Sequence, residues 1–94
     1  MMKILAVCGM GIGTSVILKM NAEKAAQQLG LDADVEVADI SSARGAATTA
    51  DLVLTSAELA AELGDIPTPV VVVNNFVDSD EISAKLSAAV DSNG

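Results

Sequence analysis

Four short apolar runs, alternating with segments of helical periodicity, are the feature that most constrains the fold of this chain. The runs are KILAV (3–7), VEVADI (35–40), LVLT (52–55) and VVVV (70–73), and the helical segments cover 15–29, 42–48, 56–63 and 78–90. This alternation is typical of βαβ units, which place parallel strands in one sheet and helices on its faces. The pattern predicts an α/β fold with four strands and four helices in a single domain, residues 1–94.

The order of the strands also follows from their composition. The second run alternates apolar and acidic residues, as expected at the edge of a sheet, whereas the first and third are apolar throughout and should be central. Right-handed crossovers then favour the order 2-1-3-4, a Rossmann-like three-layer sandwich. In that order the chain reverses direction between strands 1 and 3, and open α/β sheets bind ligands at such a point.

The two longest helical segments carry recognisable end signals. The first should be capped by Thr14 or Ser15 and end at Gly30. Its apolar face should comprise Val16, Ile17, Met20, Ala25 and Leu29, with Met20 in the core. The last should begin at a cap formed by Asp78 or Ser79, with Asp80 and Glu81 near the positive end of its dipole.

The segment AVCGMGIGTS (6–15) places Cys8, the single cysteine of the chain, between the first strand and a glycine-rich loop. Gly9, Gly11 and Gly13 are expected to turn the backbone with positive φ, so that N–H groups converge at the start of the following helix. Such donors form an anion site that suits phosphate, and the helix dipole favours a thiolate. The loop therefore offers a nucleophile and a phosphate site together.

Several other motifs are incomplete. A dinucleotide-binding loop would need a third glycine where Thr14 or Val16 stands, and a Walker A loop would need a lysine between Lys3 and Lys19. The nearest match is the cysteine phosphatase loop, in which arginine follows the cysteine and five residues, but Thr14 occupies that position. Without arginine to clamp the phosphoryl group, hydrolysis loses a stabiliser of its transition state.

Composition excludes other classes of function. One cysteine and no histidine leave neither an internal disulfide nor the usual zinc site, and no metal or cofactor is expected. A net charge of −8 argues against nucleic-acid binding, and the first carboxylate is Glu23, well after the cysteine loop. With no apolar segment of about 20 residues and no signal peptide, the chain is expected to be cytosolic and not inserted in the membrane.

At the level of motifs, KILAVCGMGIGTSVILKM (3–20) resembles the cytoplasmic B components of the bacterial phosphoenolpyruvate-dependent sugar phosphotransferase system, of the ascorbate or galactitol (lactose-like) type. A weaker likeness extends through ADLVLTS (50–56) and VVVVNNF (70–76). The resemblance implies that Cys8 accepts a phosphoryl group from a histidine of the A component. It would then pass the group to a sugar carried by the membrane-embedded C component, and the phosphoryl oxygens would be held by the loop residues Gly9, Met10, Gly11, Ile12, Gly13, Thr14 and Ser15.

Two other functions fit the same loop: a small cysteine phosphatase or arsenate reductase, and a regulatory module that binds phosphate without covalent chemistry.

Several residues also have structural roles open to them. Thr14 and Ser15 could act as helix caps alone, and Arg44 is expected to be a solvated helix residue that does not reach the phosphoryl group. Asn74 and Asn75 could orient the loop or form the turn before the last helix. The acidic residues from Asp51 to Glu81 are expected to lie on solvated faces.

Overall fold

The computed structural model describes residues 2–9 and 12–93, with side chains described over 2–9 and 16–90. The elements alternate along the chain as β1 (Met2–Cys8), α1 (Ile12–Gln28), β2 (Ala33–Asp39), α2 (Ile40–Ala47), β3 (Leu52–Thr55), α3 (Ala57–Leu63), β4 (Val70–Val72) and α4 (Ser79–Asn93). All strand pairs are parallel, in the order β2-β1-β3-β4. The predicted α/β fold and strand order are confirmed.

The central strand β1 is buried on both faces from Ile4 to Cys8. Side chains of successive strand residues point to opposite faces, so Ile4, Ala6 and Cys8 face one core and Leu5 and Val7 face the other. The first core is completed by α1 and α4, and the second by α2 and α3. The sheet thus has a helix pair on each face, and Cys8 lies at its carboxyl edge.

Helix α1 begins earlier than its sequence indicated. The predicted caps Thr14 and Ser15 are wrong, because the helix starts at Ile12 and both residues lie in its first turn. The predicted end is confirmed, since Gly30 has a φ of 73°. The N–H of Gly30 donates to the carbonyl of Gln27 and that of Leu31 to Ala26, the two bonds of a Schellman motif.

The predicted apolar face of α1 is also largely wrong. Val16, Ile17 and Met20 are 47, 42 and 62 % exposed, and Leu29, in the turn after the helix, is 37 % exposed. Of the predicted set only Ala25 is buried, together with Leu18, Ala22 and Ala26. At about 100° per residue, the buried positions lie on the side of the helix opposite Val16, Ile17 and Met20. Small alanines let α1 approach its neighbours closely, which leaves the larger side chains outside.

Among the residues that the structure describes, no helix has the length and apolar character needed to cross a membrane.

Candidate functional site

Cys8 ends β1 at the carboxyl edge of the sheet, between Asp39 of β2 and the β3 strand. Its side chain is 4 % exposed and lies against a pocket of about 370 Å³. Described residues from all four strand-to-helix connections and from α3 line this pocket: Cys8, Gly9, Ile40, Ser56, Glu58, Leu59, Glu62 and Phe76. The thiol therefore lies where an open α/β sheet ordinarily binds its ligand.

Helix α3 packs closely against the residue that follows the cysteine. A Cβ built on Gly9 would lie 2.9 Å from Cδ2 of Leu59, so the end of that leucine side chain would have to shift to admit it. The predicted positive φ at Gly9 is wrong, since only Gly30 and Gly64 have positive φ among the described residues, and Gly13 lies inside α1. Gly9 therefore lies close to Leu59 without a left-handed backbone.

The predicted phosphate-binding residues fall partly outside the described part of the chain. Met10 and Gly11 lie outside it, and for Ile12, Gly13, Thr14 and Ser15 only the helical backbone is described. Their role in holding phosphate stays a prediction. The described backbone does place the N-terminus of the 17-residue helix α1 four positions after Cys8, with no acidic residue in its first turn. The positive end of the α1 dipole therefore lies on the same side of the sheet as Cys8.

Two carboxylates beside the thiol were missed by sequence reasoning. Glu58 and Glu62, both exposed, line the pocket from α3. Their spacing of four residues places them on one face of a helix, which the sequence could have shown, but only the tertiary structure brings that face to Cys8.

Asp39 pairs with Cys8 in the β1–β2 register but serves as the N-cap of α2. Its carboxylate accepts hydrogen bonds from the hydroxyls of Ser41 and Ser42 at 2.8 Å and from the backbone N–H of Ser42 at 3.0 Å. These hydrogen bonds hold the pKa of Asp39 below its ordinary value. The bond from the Ser41 hydroxyl contributes most, followed by those from Ser42. The carboxylate stays ionised and is committed to the helix end.

Glu81 corrects the expectation that the carboxylates from Asp51 to Glu81 only face solvent. Its two carboxylate oxygens each accept a backbone N–H at 2.9 Å, one from Asn74 and one from Asn75. The Asn75 side chain accepts from the N–H of Val77 at 3.1 Å, as expected for a turn residue.

Arg44, by contrast, is exposed as expected. Its Nη2 atom lies 3.6 Å from the position that a Cβ of Gly64 would occupy. Gly64 is the C-cap of α3, whereas Ser56, the N-cap of the same helix, lines the pocket. The guanidinium group therefore lies toward the end of α3 that is remote from Cys8.

No group of three or more histidine, cysteine, aspartate or glutamate side chains suitable for a metal ion occurs within the described ranges.

Comparison with known proteins identifies the family. The family described as "PTS system, Lactose/Cellobiose specific IIB subunit", where PTS denotes the phosphotransferase system, matches residues 3–88. The chain belongs to this family of phosphotransferase system IIB subunits. The "Ascorbate-specific PTS system EIIB component" of Mycoplasma pneumoniae is 35% identical over 85 residues, covering 89% of this chain and 90% of that protein. The chain is accordingly a phosphotransferase component of sugar transport.

Two solved structures share the fold. The lactose-specific IIB domain of Streptococcus pneumoniae superposes with a TM-score of 0.60 at 17% identity, covering 96% of this chain and 95% of that one. The cellobiose-specific IIB protein of Borrelia burgdorferi gives a TM-score of 0.59 at 23% identity, covering 98% and 89%. The IIB architecture is thus retained at low sequence identity.

Proposed function

We propose that this single-domain protein is a phosphoryl carrier that uses Cys8 to accept a phosphoryl group from a histidine of an A component. It then delivers the group to an ascorbate-like or polyol-like sugar held by a membrane C component. The observation that carries the proposal is the placement of Cys8, which ends the central strand beside a pocket, four positions before α1 begins at Ile12. In this proposal the carrier works in the cytoplasm and associates with the transporter.

The proposed reaction has two displacement steps. In the first, the Cys8 thiolate attacks phosphorus, the S–P bond forms, and the P–N bond breaks to release the imidazole of the donor. In the second, a sugar hydroxyl oxygen attacks phosphorus, the O–P bond forms, the S–P bond breaks, and the hydroxyl proton passes to a base. Residues 9–15 would bind the phosphoryl oxygens in both steps, since positioning and charge stabilisation dominate such transfers.

Electrostatics support the assignment of the phosphoryl site to the α1 side of Cys8. A phosphoryl group carries a charge of about −1.5 to −2 at neutral pH. The first turn of α1 contributes no carboxylate, whereas the α3 side contributes Glu58 and Glu62. The phosphoryl group would accordingly be attracted to the α1 N-terminus and repelled by α3.

Hydrolysis by the same cysteine is less well supported. Thr14 occupies the position where a cysteine phosphatase has arginine, and Asp39, the carboxylate paired with Cys8 in the sheet, is held ionised as a helix cap. A general acid must instead hold a proton that it can give to the leaving group. Both features favour transfer to a sugar over transfer to water.

Intact-mass measurement tests the proposal. The protein is incubated with phosphoenolpyruvate, the general phosphotransferase proteins and an ascorbate-type A component. One added phosphoryl group is expected on the wild-type protein, and Cys8→Ser and Cys8→Ala should lack it. No adduct with a donor that phosphorylates another IIB protein would refute the carrier role, and rapid hydrolysis of an aryl phosphate that depends on Cys8 would favour the phosphatase.

A further inference from the structure

The connection between β4 and α4 is held by the side chain of Glu81, which lies in the first turn of α4. The last sheet hydrogen bond of this segment runs from the N–H of Val73 to the carbonyl of Thr55, at 2.8 Å. The next two N–H groups, of Asn74 and Asn75, are accepted one each by the two oxygens of Glu81. The carboxylate thus binds two consecutive N–H groups of the loop directly after the last sheet hydrogen bond.

Glu81 is itself held in place from its own helix. Its side chain is only 17% exposed, and Lys85, one turn later, lies 3.8 Å from it. The ammonium group of Lys85 also donates to the carbonyl of Val72 at 2.8 Å, so it joins the end of β4 to α4. The backbone N–H of Glu81 donates to the Asp78 carboxylate at 3.1 Å. The side chain therefore has one well-determined orientation.

The position of Glu81 in α4 makes its contacts unusual. An acidic residue three positions after an N-cap ordinarily bonds back to the N–H of the cap residue, in a capping box. Here the N–H of the cap Asp78 donates to the carbonyl of Asn75 at 3.1 Å, and the Glu81 carboxylate extends to the loop instead. The N–H of Asn74 is the main cause that lowers the pKa of Glu81, and the negative charge of Asp78 opposes it. An ionised Glu81 is therefore coupled to the loop conformation.

The same loop is tied to α1 on its other side. The side-chain amide of Asn21 donates to the carbonyl of Phe76 at 2.9 Å. The Phe76 side chain lines the Cys8 pocket and packs against the core between the sheet and the α1–α4 layer. Two helices thus hold the loop that supplies the aromatic wall beside the thiol.

We propose that Glu81 is a positioning residue for phosphoryl transfer at Cys8: by binding the N–H groups of Asn74 and Asn75, it keeps Phe76 in the wall of the thiol pocket. This inference rests on the carrier function proposed above. An apolar wall in a fixed place keeps water from the phosphoryl group and limits the approach of the donor to one direction. A loosened wall admits water, whose oxygen attacks phosphorus, breaks the S–P bond, and releases orthophosphate and the Cys8 thiolate.

The experiment compares Glu81→Gln with wild type in two measurements. The first is the rate at which the A component phosphorylates Cys8, and the second is the lifetime of the adduct after the donor is removed, both followed by intact mass. Glutamine has one acceptor oxygen and one NH₂ group, so it can hold only one of the two N–H groups. We expect phosphorylation to be slower by roughly tenfold and the adduct to be shorter-lived by about threefold. Asp80→Asn, an exposed carboxylate in the same turn, is the matched control and should match wild type in both.

A double-mutant cycle separates positioning from a general loss of stability. If Glu81 acts through Phe76, adding Glu81→Gln to Phe76→Leu should change the phosphorylation rate and adduct lifetime little beyond Phe76→Leu alone. Fully additive effects, or wild-type behaviour of Glu81→Gln, would overturn the proposal. Should Glu81→Gln fail to fold, Asn21→Ala cuts the other tether of the loop and should move both measurements in the same direction; wild-type behaviour there would also overturn it.

A measurement without any partner separates this proposal from the carrier function. Iodoacetamide alkylates the Cys8 thiol directly, and a loosened wall should raise the alkylation rate of Glu81→Gln severalfold over wild type and over Asp80→Asn. An unchanged alkylation rate would overturn the positioning role, whether or not the A component phosphorylates the wild-type protein. Absence of any phosphoryl adduct on wild type would refute the carrier function alone.

Discussion

Helices α1 and α4 pack side by side on the same face of the sheet, but their N-termini differ. Helix α4 begins with Asp78, whose carboxylate accepts the N–H groups of Asp80 and Glu81, and two acidic residues follow in its first turn. Helix α1 begins beside Cys8 and has no acidic residue in its first turn. The difference teaches that carboxylates of the chain itself bind the N-terminus of α4, whereas the first turn of α1, next to the thiol, carries no carboxylate of its own.

The two helices also fill the core differently. Helix α4 buries Ile82 and Leu86, whereas α1 buries Leu18 with three alanines. Leu18 is therefore the one large side chain that α1 adds to the core among its described residues. The comparison can be tested at the core, at the helix ends and at the outer surface, in decreasing order of expected effect.

Leu18→Ala should have the largest effect on stability. Leu18 is fully buried, and its truncation leaves a cavity that the adjacent small alanines cannot fill, so we expect a loss of about 2–5 kcal/mol in the free energy of unfolding. Urea denaturation measures it, with Leu86→Ala on α4 as the matched comparison. A loss below about 1 kcal/mol at Leu18 would show that α1 contributes less to the core than its burial implies.

Thr14→Asp should separate stability from function at the N-terminus of α1. A carboxylate in the first turn of α1 should stabilise the helix by about 0.3–1 kcal/mol. The same charge should repel the phosphoryl group and slow phosphorylation of Cys8 by roughly 10- to 100-fold. Thr14→Asn, which removes the same hydroxyl without adding charge, is the control. Equal rates for the two variants would contradict the assignment of the phosphoryl site to the α1 N-terminus.

Acid should destabilise the folded protein by protonating the carboxylates at the N-termini of α2 and α4. The pKa values of Asp39 and Glu81 are lowered in the folded protein by their hydrogen bonds. Each carboxylate therefore stabilises the fold above its ordinary pKa, which is 3.8 for Asp39 and 4.5 for Glu81. This stabilisation is lost as the pH falls below those values and through the lowered pKa of the folded state. Urea midpoints measured from pH 7 to pH 3 should fall, and fall less steeply in Asp39→Asn and Glu81→Gln. An equal slope in wild type and both variants would contradict the assignment.

Met20→Ser should have the smallest effect. Because Met20 is 62 % exposed on the outer side of α1, we expect the free energy of unfolding to change by no more than about 0.5 kcal/mol. Leu29→Ser, in the turn that follows α1 and 37 % exposed, provides a comparison close to the same helix. A loss above about 1 kcal/mol for Met20→Ser would mean that Met20 is buried in solution and that the sequence-based assignment of the apolar face was right.

Most of the fold could be predicted because its signals are local. Alternating apolar runs and helical segments predict the element types, the edge character of β2 predicts the strand order, and Gly30 predicts the end of α1. Which residues of α1 are buried could not be predicted from local signals. The larger apolar residues Val16, Ile17 and Met20 lie together on one face of the helix, as the buried residues of an amphipathic helix ordinarily do. Which side of a helix is buried depends on how closely it approaches its neighbours, and here alanines permit the closer approach.

The candidate site likewise combines residues that are adjacent in sequence with residues from distant parts of the chain. Its cysteine, the glycine loop and the missing arginine at Thr14 are adjacent in sequence, so their chemistry could be predicted there. The remaining pocket residues, such as Leu59 against Gly9, come from other parts of the chain.

The sequence by itself determined the alternation of strands and helices, the order of the strands, and the cysteine that precedes the α1 N-terminus, since each depends on periodicity or composition within a short segment. Only the tertiary structure decided that Leu18 and the alanines fill the core, that Glu58 and Glu62 line the same pocket as Cys8, and that Glu81 holds the loop of Phe76. These contacts join residues that are distant in sequence, and they depend on how closely the helices pack against the sheet and on which N–H groups the sheet edge leaves to be bound.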